Sequence, residues 1–98
     1  MRIYISGPIT SDPGYRKRFQ EAEDKLRMQG HDAVNPARVA DIIRTELKHE
    51  EWLNIDVALL KVCDAIYMLK NWQESRGANR ELGYAMGAGL KIMYEEEK

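Results

Sequence analysis

The chain has one cysteine, Cys63, in 98 residues. An internal disulfide is therefore excluded, and a reducing, cytoplasmic compartment is the expected setting. Cys63 closes the stretch Leu59-Leu60-Lys61-Val62-Cys63 and reads as a small buried hydrophobe rather than a nucleophile. Only two histidines are present, His31 and His49. They are far apart and near no cysteine pair, so neither a metal nor another cofactor is expected. Neither sign of charge dominates: 15 Lys and Arg face 16 Asp and Glu, for a net charge of −1. That leaves no electrostatic case for a nucleic-acid surface. No apolar run approaches the ~20 residues of a membrane helix. The opening Met1-Arg2-Ile3-Tyr4-Ile5-Ser6 turns polar too soon for a signal peptide. There is no internal repeat. Gly7 is followed by neither Gly-Lys-Ser/Thr nor further spaced glycines, which excludes a P-loop and a dinucleotide fingerprint.

What is present is an alternation of short apolar runs and amphipathic segments within one domain-sized chain, residues 1–98. Arg2 to Ser6 reads as a strand ended by Gly7-Pro8. After a polar loop, Tyr15 to Met28 is a helix with Tyr15, Phe19, Ala22 and Leu26 on one face and Gly30 as its stop. His31 to Asn35 is a second strand. Val39, Ile42, Ile43 and Leu47 have helical spacing and predict a helix over Ala37 to Leu47. Trp52, Ile55, Leu59 and Val62 predict another over Glu50 to Val62. Asp64 to Leu69 is a third strand, with Asp64 as a turn residue at its start. A helix from Ser75 ends at Gly87 and Gly89. Leu90 to Tyr94 is a fourth strand, and Glu95-Glu96-Glu97-Lys98 reads as a solvated tail. The pattern predicts an α/β fold of three layers, flavodoxin- or Rossmann-like, with a parallel sheet of four or five strands and right-handed crossovers.

Such sheets bind ligands beyond the carboxyl ends of their strands, where the strand order reverses. The first strand brings Ser6, Gly7, Pro8 and Ile9 to that edge. The third brings Leu69, Lys70, Asn71 and Trp72. The last helix opens with Ser75-Arg76-Gly77-Ala78, whose free amides and helix dipole favour an anion. Glu81 lies about two turns in. Its helical neighbours include Ala78, Tyr84 and Ala85, and the two alanines leave open space beside its carboxylate. Each residue also has a plainer reading. Glu81 and Asp56 would be surface carboxylates, Ser75 an N-cap, Tyr4 a core aromatic, and Trp52 a core residue or a contact between copies.

Three pieces together resemble the nucleoside 2-deoxyribosyltransferase superfamily. They are Tyr4-Ile5-Ser6-Gly7-Pro8-Ile9, Asp56 ahead of Cys63-Asp64-Ala65-Ile66, and Ser75-x-Gly77-x-x-x-Glu81-x-Gly83-x-Ala85. Within that superfamily the chain is most similar to the small DUF4406 group, in which the Trp72-to-Ala78 run is typical. It is also similar to the 2′-deoxynucleoside 5′-phosphate N-hydrolases. The larger members have five strands where four are delineated here. The resemblance implies cleavage of the N-glycosidic bond of a 2′-deoxynucleoside or its 5′-monophosphate. It places Glu81 as nucleophile with Asp56 and Tyr4 assisting, and it puts Ser75 and Gly77 on a 5′-phosphate. Ser6, Gly7, Pro8 and Ile9 would line the pocket, Trp72 would stack on a base, and Arg76 with Ala78 would complete the phosphate turn. Ser75-Arg76-Gly77-Ala78 replaces the Asp-Gly-Thr pattern of the transferases, which favours a phosphate-bearing ligand. A homodimer or higher homo-oligomer is implied, since the superfamily builds its sites between subunits. The alternatives are a non-catalytic nucleotide-binding or sensing module on the same fold, and an interaction protein with a vestigial pocket.

Overall fold

The computed structural model describes residues 1–95, so the tail from Glu96 to Lys98 lies outside the described residues. Four parallel strands form one sheet in the order β2-β1-β3-β4. They are β1 (Arg2–Ser6), β2 (Asp32–Val34), β3 (Ala65–Met68) and β4 (Lys91–Tyr94). The helices are α1 (Tyr15–Met28), α2 (Pro36–Ile42), α3 (His49–Leu60) and α4 (Arg76–Gly87). A short 3-10 turn, Trp72–Glu74, precedes α4. The three-layer α/β architecture is the one expected.

Strand alternation divides the core in two. Ile3 and Ile5 of β1, with Ala65, Tyr67 and Leu69, pack against Phe19, Ala22 and Leu26 of α1 and Ala37 of α2. Tyr4 of β1, with Ile66 and Met68 of β3, packs against Leu60 of α3 and Ala78, Leu82 and Ala85 of α4. β1 is thus sandwiched between both helical layers and paired on both edges. Its residues 3–6 are completely buried. The strand order reverses between β1 and β3, so the ligand edge lies where those two strands end.

Three segments differ from the expected ones. α2 stops at Ile42 rather than Leu47, and Ile43 is extended. Ile42 is 76% exposed, and Val39, Ile43 and Leu47 are only half-buried, so the stripe gains little from burial. The β-branched pair Ile42-Ile43 then has little reason to stay helical. A new helix starts instead, because the Glu51 side chain accepts the Lys48 amide at 2.8 Å. Glu50 and Glu51 in its first turn complement the dipole. The second difference is α3 itself, which ends at Leu60 and fully buries only that residue. Val62, assigned to its apolar stripe, lies beyond the helix and is exposed. The third is Glu95. It is not a free tail residue: its carboxylate accepts the Lys70 amide at 2.9 Å and lies 3.8 Å from Arg18.

Two glycines are required by the geometry. Gly89 has φ +76 and closes α4, with the Leu90 amide reaching back to the Ala85 carbonyl at 2.9 Å. Gly7 follows β1 directly, and a Cβ there would sit 2.8 Å from Leu69 Cβ. Leu69 Cβ is fixed to the backbone and cannot swing away. Gly7→Ala is therefore expected to lower stability by about 1–3 kcal/mol through overpacking, read as a lower urea midpoint with an unchanged slope.

Candidate functional site

Tyr4 and Ser6 are two apart on β1 and so project from the same face of the sheet. That face meets α4, where Ser75 caps the helix by accepting the Ala78 amide at 3.1 Å. Ala78, Leu82 and Ala85 seat α4 on the core. Glu81 falls between them on the buried side and is only 6% exposed. A carboxyl buried so deeply needs donors. Tyr4 Oη donates to Glu81 Oε2 at 2.7 Å, and Ser6 Oγ donates to Glu81 Oε1 at 2.6 Å. Each carboxyl oxygen thus has its own hydroxyl.

Asp56 of α3 reaches the same cluster. It is half-buried and interacts with both Glu81 and Tyr4. Burial pushes the Glu81 pKa up to about 8, and the Asp56 charge adds to the rise; the Ser6 and Tyr4 hydroxyls pull against it. Burial also raises Asp56, opposed by its interactions with Glu81 and Tyr4. Tyr4 is held well above the ordinary phenol value by burial and then by the two carboxylates. The Glu81 and Asp56 titrations depend on each other, so the last proton belongs to the pair. The cluster can therefore store one proton beside an unusually basic carboxyl.

The remaining expected site residues lie around this cluster in different settings. Ser75, Arg76, Gly77 and Ala78 form the α4 N-terminus, about 5–9 Å along the helix from Glu81. Ala78 and Asn79 amides are taken by the Ser75 side chain and carbonyl. The Arg76 and Gly77 amides are the ones an incoming anion would meet. Arg76 and Arg80 are both exposed. Gly7 packs on Leu69. Pro8 is buried and lines a cleft of about 220 Å³ with Ser11, Asp12, Arg18, Asn71 and Glu74. Ile9 is exposed beside it. Arg18 ties this edge together, binding Asp12 at 2.9 Å and the Lys70 carbonyl at 3.3 Å. Trp72 is half-buried against the α4-side core, with its ring 6.0 Å from that of Tyr94.

Two features escaped sequence reasoning. One is the Ser6–Glu81 hydrogen bond; the alternation Tyr4-x-Ser6 puts Ser6 on the same strand face as Tyr4 but does not identify its partner 75 residues away. The other is Asn79, whose Nδ2 donates to the carbonyls of Gln73 at 3.0 Å and Ser75 at 2.8 Å and so shapes the turn before α4. Among the described residues no group of three or more His, Cys, Asp or Glu is placed to hold a metal ion. No described helix is long and apolar enough to cross a membrane.

Comparison with known proteins agrees with this architecture. The model of the DUF4406 family, described as a domain of unknown function, matches residues 1–94, and the chain belongs to that family. No functionally curated protein matches by sequence. Among solved structures the chain is similar to a 2-deoxyribosyltransferase from the psychrotolerant bacterium Bacillus psychrosaccharolyticus, characterised as a biocatalyst for nucleoside synthesis. The TM-score is 0.75 at 24% identity, over 100% of this chain and 77% of the other. At that identity the likeness establishes a shared fold.

Proposed function

We propose that this DUF4406 protein cleaves the N-glycosidic bond of a 2′-deoxynucleoside 5′-monophosphate, with Glu81 as the nucleophile. The observation that carries the reading is a buried carboxyl held through both oxygens by hydroxyls and coupled to a second carboxyl. The shared fold with a 2-deoxyribosyltransferase supports the same class of chemistry.

Moving the stored proton from Glu81 to Asp56 leaves the charge of the pair unchanged and yields an ionised nucleophile beside a protonated acid. Glu81 then attacks C1′ as the C1′–N bond breaks through an oxocarbenium-like state. The departing base takes the proton from Asp56. Water, with Asp56 now accepting its proton, opens the glycosyl ester to release the deoxyribose phosphate and free Glu81. A second base in place of water would make the reaction a transfer. Tyr4 keeps its proton throughout, because its pKa is raised, and steadies Oε2. The 5′-phosphate would meet the Arg76 and Gly77 amides, the helix dipole and the Arg76 guanidinium.

The test is a panel of deoxynucleosides and their monophosphates, each with and without a second free base, with released base followed by chromatography. Release from monophosphates supports the proposal. No release from any compound, together with a nucleotide-induced rise in melting temperature, would replace it with the binding-module reading.

The protein is further proposed to act as a homodimer through α3. Trp52, Leu53, Ile55, Val57 and Leu59 on that helix are all only half-buried, an unusual apolar surface to leave in water. Light scattering should give twice the chain mass, and Trp52→Glu should halve it. A wild-type monomer at high concentration would overturn this.

A further inference from the structure

We infer that Ser6 is a positioning residue for Glu81: its hydroxyl fixes the plane of the Glu81 carboxyl and favours the ionised form. Ser6 was read from the sequence as part of a ligand pocket, yet its side chain is turned inward and is 1% exposed. Its Oγ lies 2.6 Å from Glu81 Oε1, the shorter of the two bonds to that carboxyl.

Three features make the bond directive. The Ser6 backbone is pinned, since its carbonyl accepts the Leu69 amide at 2.8 Å and the residue pairs with Met68 in the sheet. The hydroxyl therefore approaches from a fixed point on the central strand. Tyr4 approaches the other oxygen from the same strand, so the carboxyl cannot rotate about its terminal bond without losing both donors. Finally, Ser6 and Glu81 are both buried, so loss of the hydroxyl leaves Glu81 Oε1 without its protein donor. The titratable groups that bear on Glu81 are Tyr4 from β1 and Asp56 from α3, and the neutral Ser6 opposes the upward push of burial and of Asp56. Two donors with different chemistry thus divide the work. Tyr4 holds Oε2 from within the strand, while Ser6 holds Oε1 from the strand end, nearest the ligand edge. The catalytic meaning of this rests on the reading of Glu81 as nucleophile; the physical effect on Glu81 does not.

The test compares Ser6→Thr with Ser6→Val, which share a shape and differ in the hydroxyl. Protein labelled with 13C at the glutamate carboxyl is titrated by NMR without ligand, and Glu81→Gln identifies the resonance. The readout is the upper midpoint of the Glu81–Asp56 pair. It is expected to rise by about one unit or more in Ser6→Val and to stay near wild type in Ser6→Thr. Ser6→Ala removes the hydroxyl without adding volume and carries the same comparison if either branched variant fails to fold. A purely structural Ser6 would lower the melting temperature and leave the midpoint where it was; equal midpoints in all variants overturn the inference. Where the substrate panel gives turnover, the acid limb of kcat/KM should move with the midpoint. Absence of turnover in the wild type would defeat the enzymatic reading and leave the titration result standing.

Discussion

Glu81→Gln is expected to reduce base release from a deoxynucleoside monophosphate by about 10⁴-fold or more, the scale seen when a nucleophile is removed. The substitution is informative because it is close to neutral structurally. Glutamine has the shape of protonated glutamate and is uncharged. Its amide oxygen can accept from one hydroxyl and its nitrogen can donate to the other or to Asp56, since serine and tyrosine hydroxyls work both ways. The α4 N-terminus is untouched. Nucleotide-induced stabilisation should therefore survive while turnover disappears. Asp56→Asn offers the contrast. It removes a proton donor, not the bond-forming atom, so the loss should be about 10²–10⁴-fold and should shrink for a base that departs easily. Equal activity of Glu81→Gln and wild type on a true substrate would end the nucleophile assignment.

The folded protein is expected to lose stability as pH rises from about 5 to 8, and Glu81 is the cause. In the unfolded chain Glu81 ionises near the ordinary value of 4.5, whereas in the folded chain it holds its proton to about 8. Between those values the native state binds more protons than the unfolded state, so each step up in pH favours unfolding. Above about 8 both states are ionised at this position and the slope vanishes. The full shift corresponds to a ceiling of roughly 5 kcal/mol, which is a large share of the stability of a domain this size. Urea unfolding at pH 5.5 and 8.5 measures it directly, and Glu81→Gln should flatten the profile and be the more stable protein at pH 8.5. Glu23 acts oppositely and in another window. Burial would raise its pKa, but Arg27, Asn35 and Arg38 bring it below the ordinary value. Its contribution is present above the ordinary glutamate range and is lost only as pH falls through its lowered value. A stability that rose between pH 5 and 8 would show that Glu81 is ionised in the folded state.

What could be read from the chain follows from where burial rewards the pattern. Phe19, Ala22 and Leu26 repeat at helical spacing and are buried as expected, because α1 has a whole sheet face to cover. Val39, Ile42, Ile43 and Leu47 repeat as well, but none of them is fully buried and the helix ends early. Periodicity alone cannot tell these cases apart. The buried Glu23 was also invisible, since its neutralisation by Arg38 and Asn35 joins α1 to a loop and helix 12 and 15 residues away. For the site, the strand ends and the α4 N-terminus were legible because turn chemistry is local. Convergence of Tyr4, Ser6 and Asp56 on Glu81 was not derivable from spacing: the contacts from β1 span 75 and 77 residues. Resemblance supplied Tyr4 and Asp56 and added a role to Glu81, which its place on the helix had already singled out; nothing local supplied Ser6 as a partner of Glu81.

The groups that meet at Glu81 ride on elements of very different depth. Tyr4 and Ser6 belong to β1, paired on both edges and covered on both faces. Asp56 belongs to α3, which fully buries only Leu60. In the language of amide exchange, β1 amides open only with the whole molecule, while α3 can open alone at a smaller free-energy cost. Each local opening carries Asp56 away and returns it, while Glu81 stays clamped by its two hydroxyls. On the proposed mechanism the pair would be assembled anew at every closure of α3, and whatever covers that helix would set how often the acid is in place.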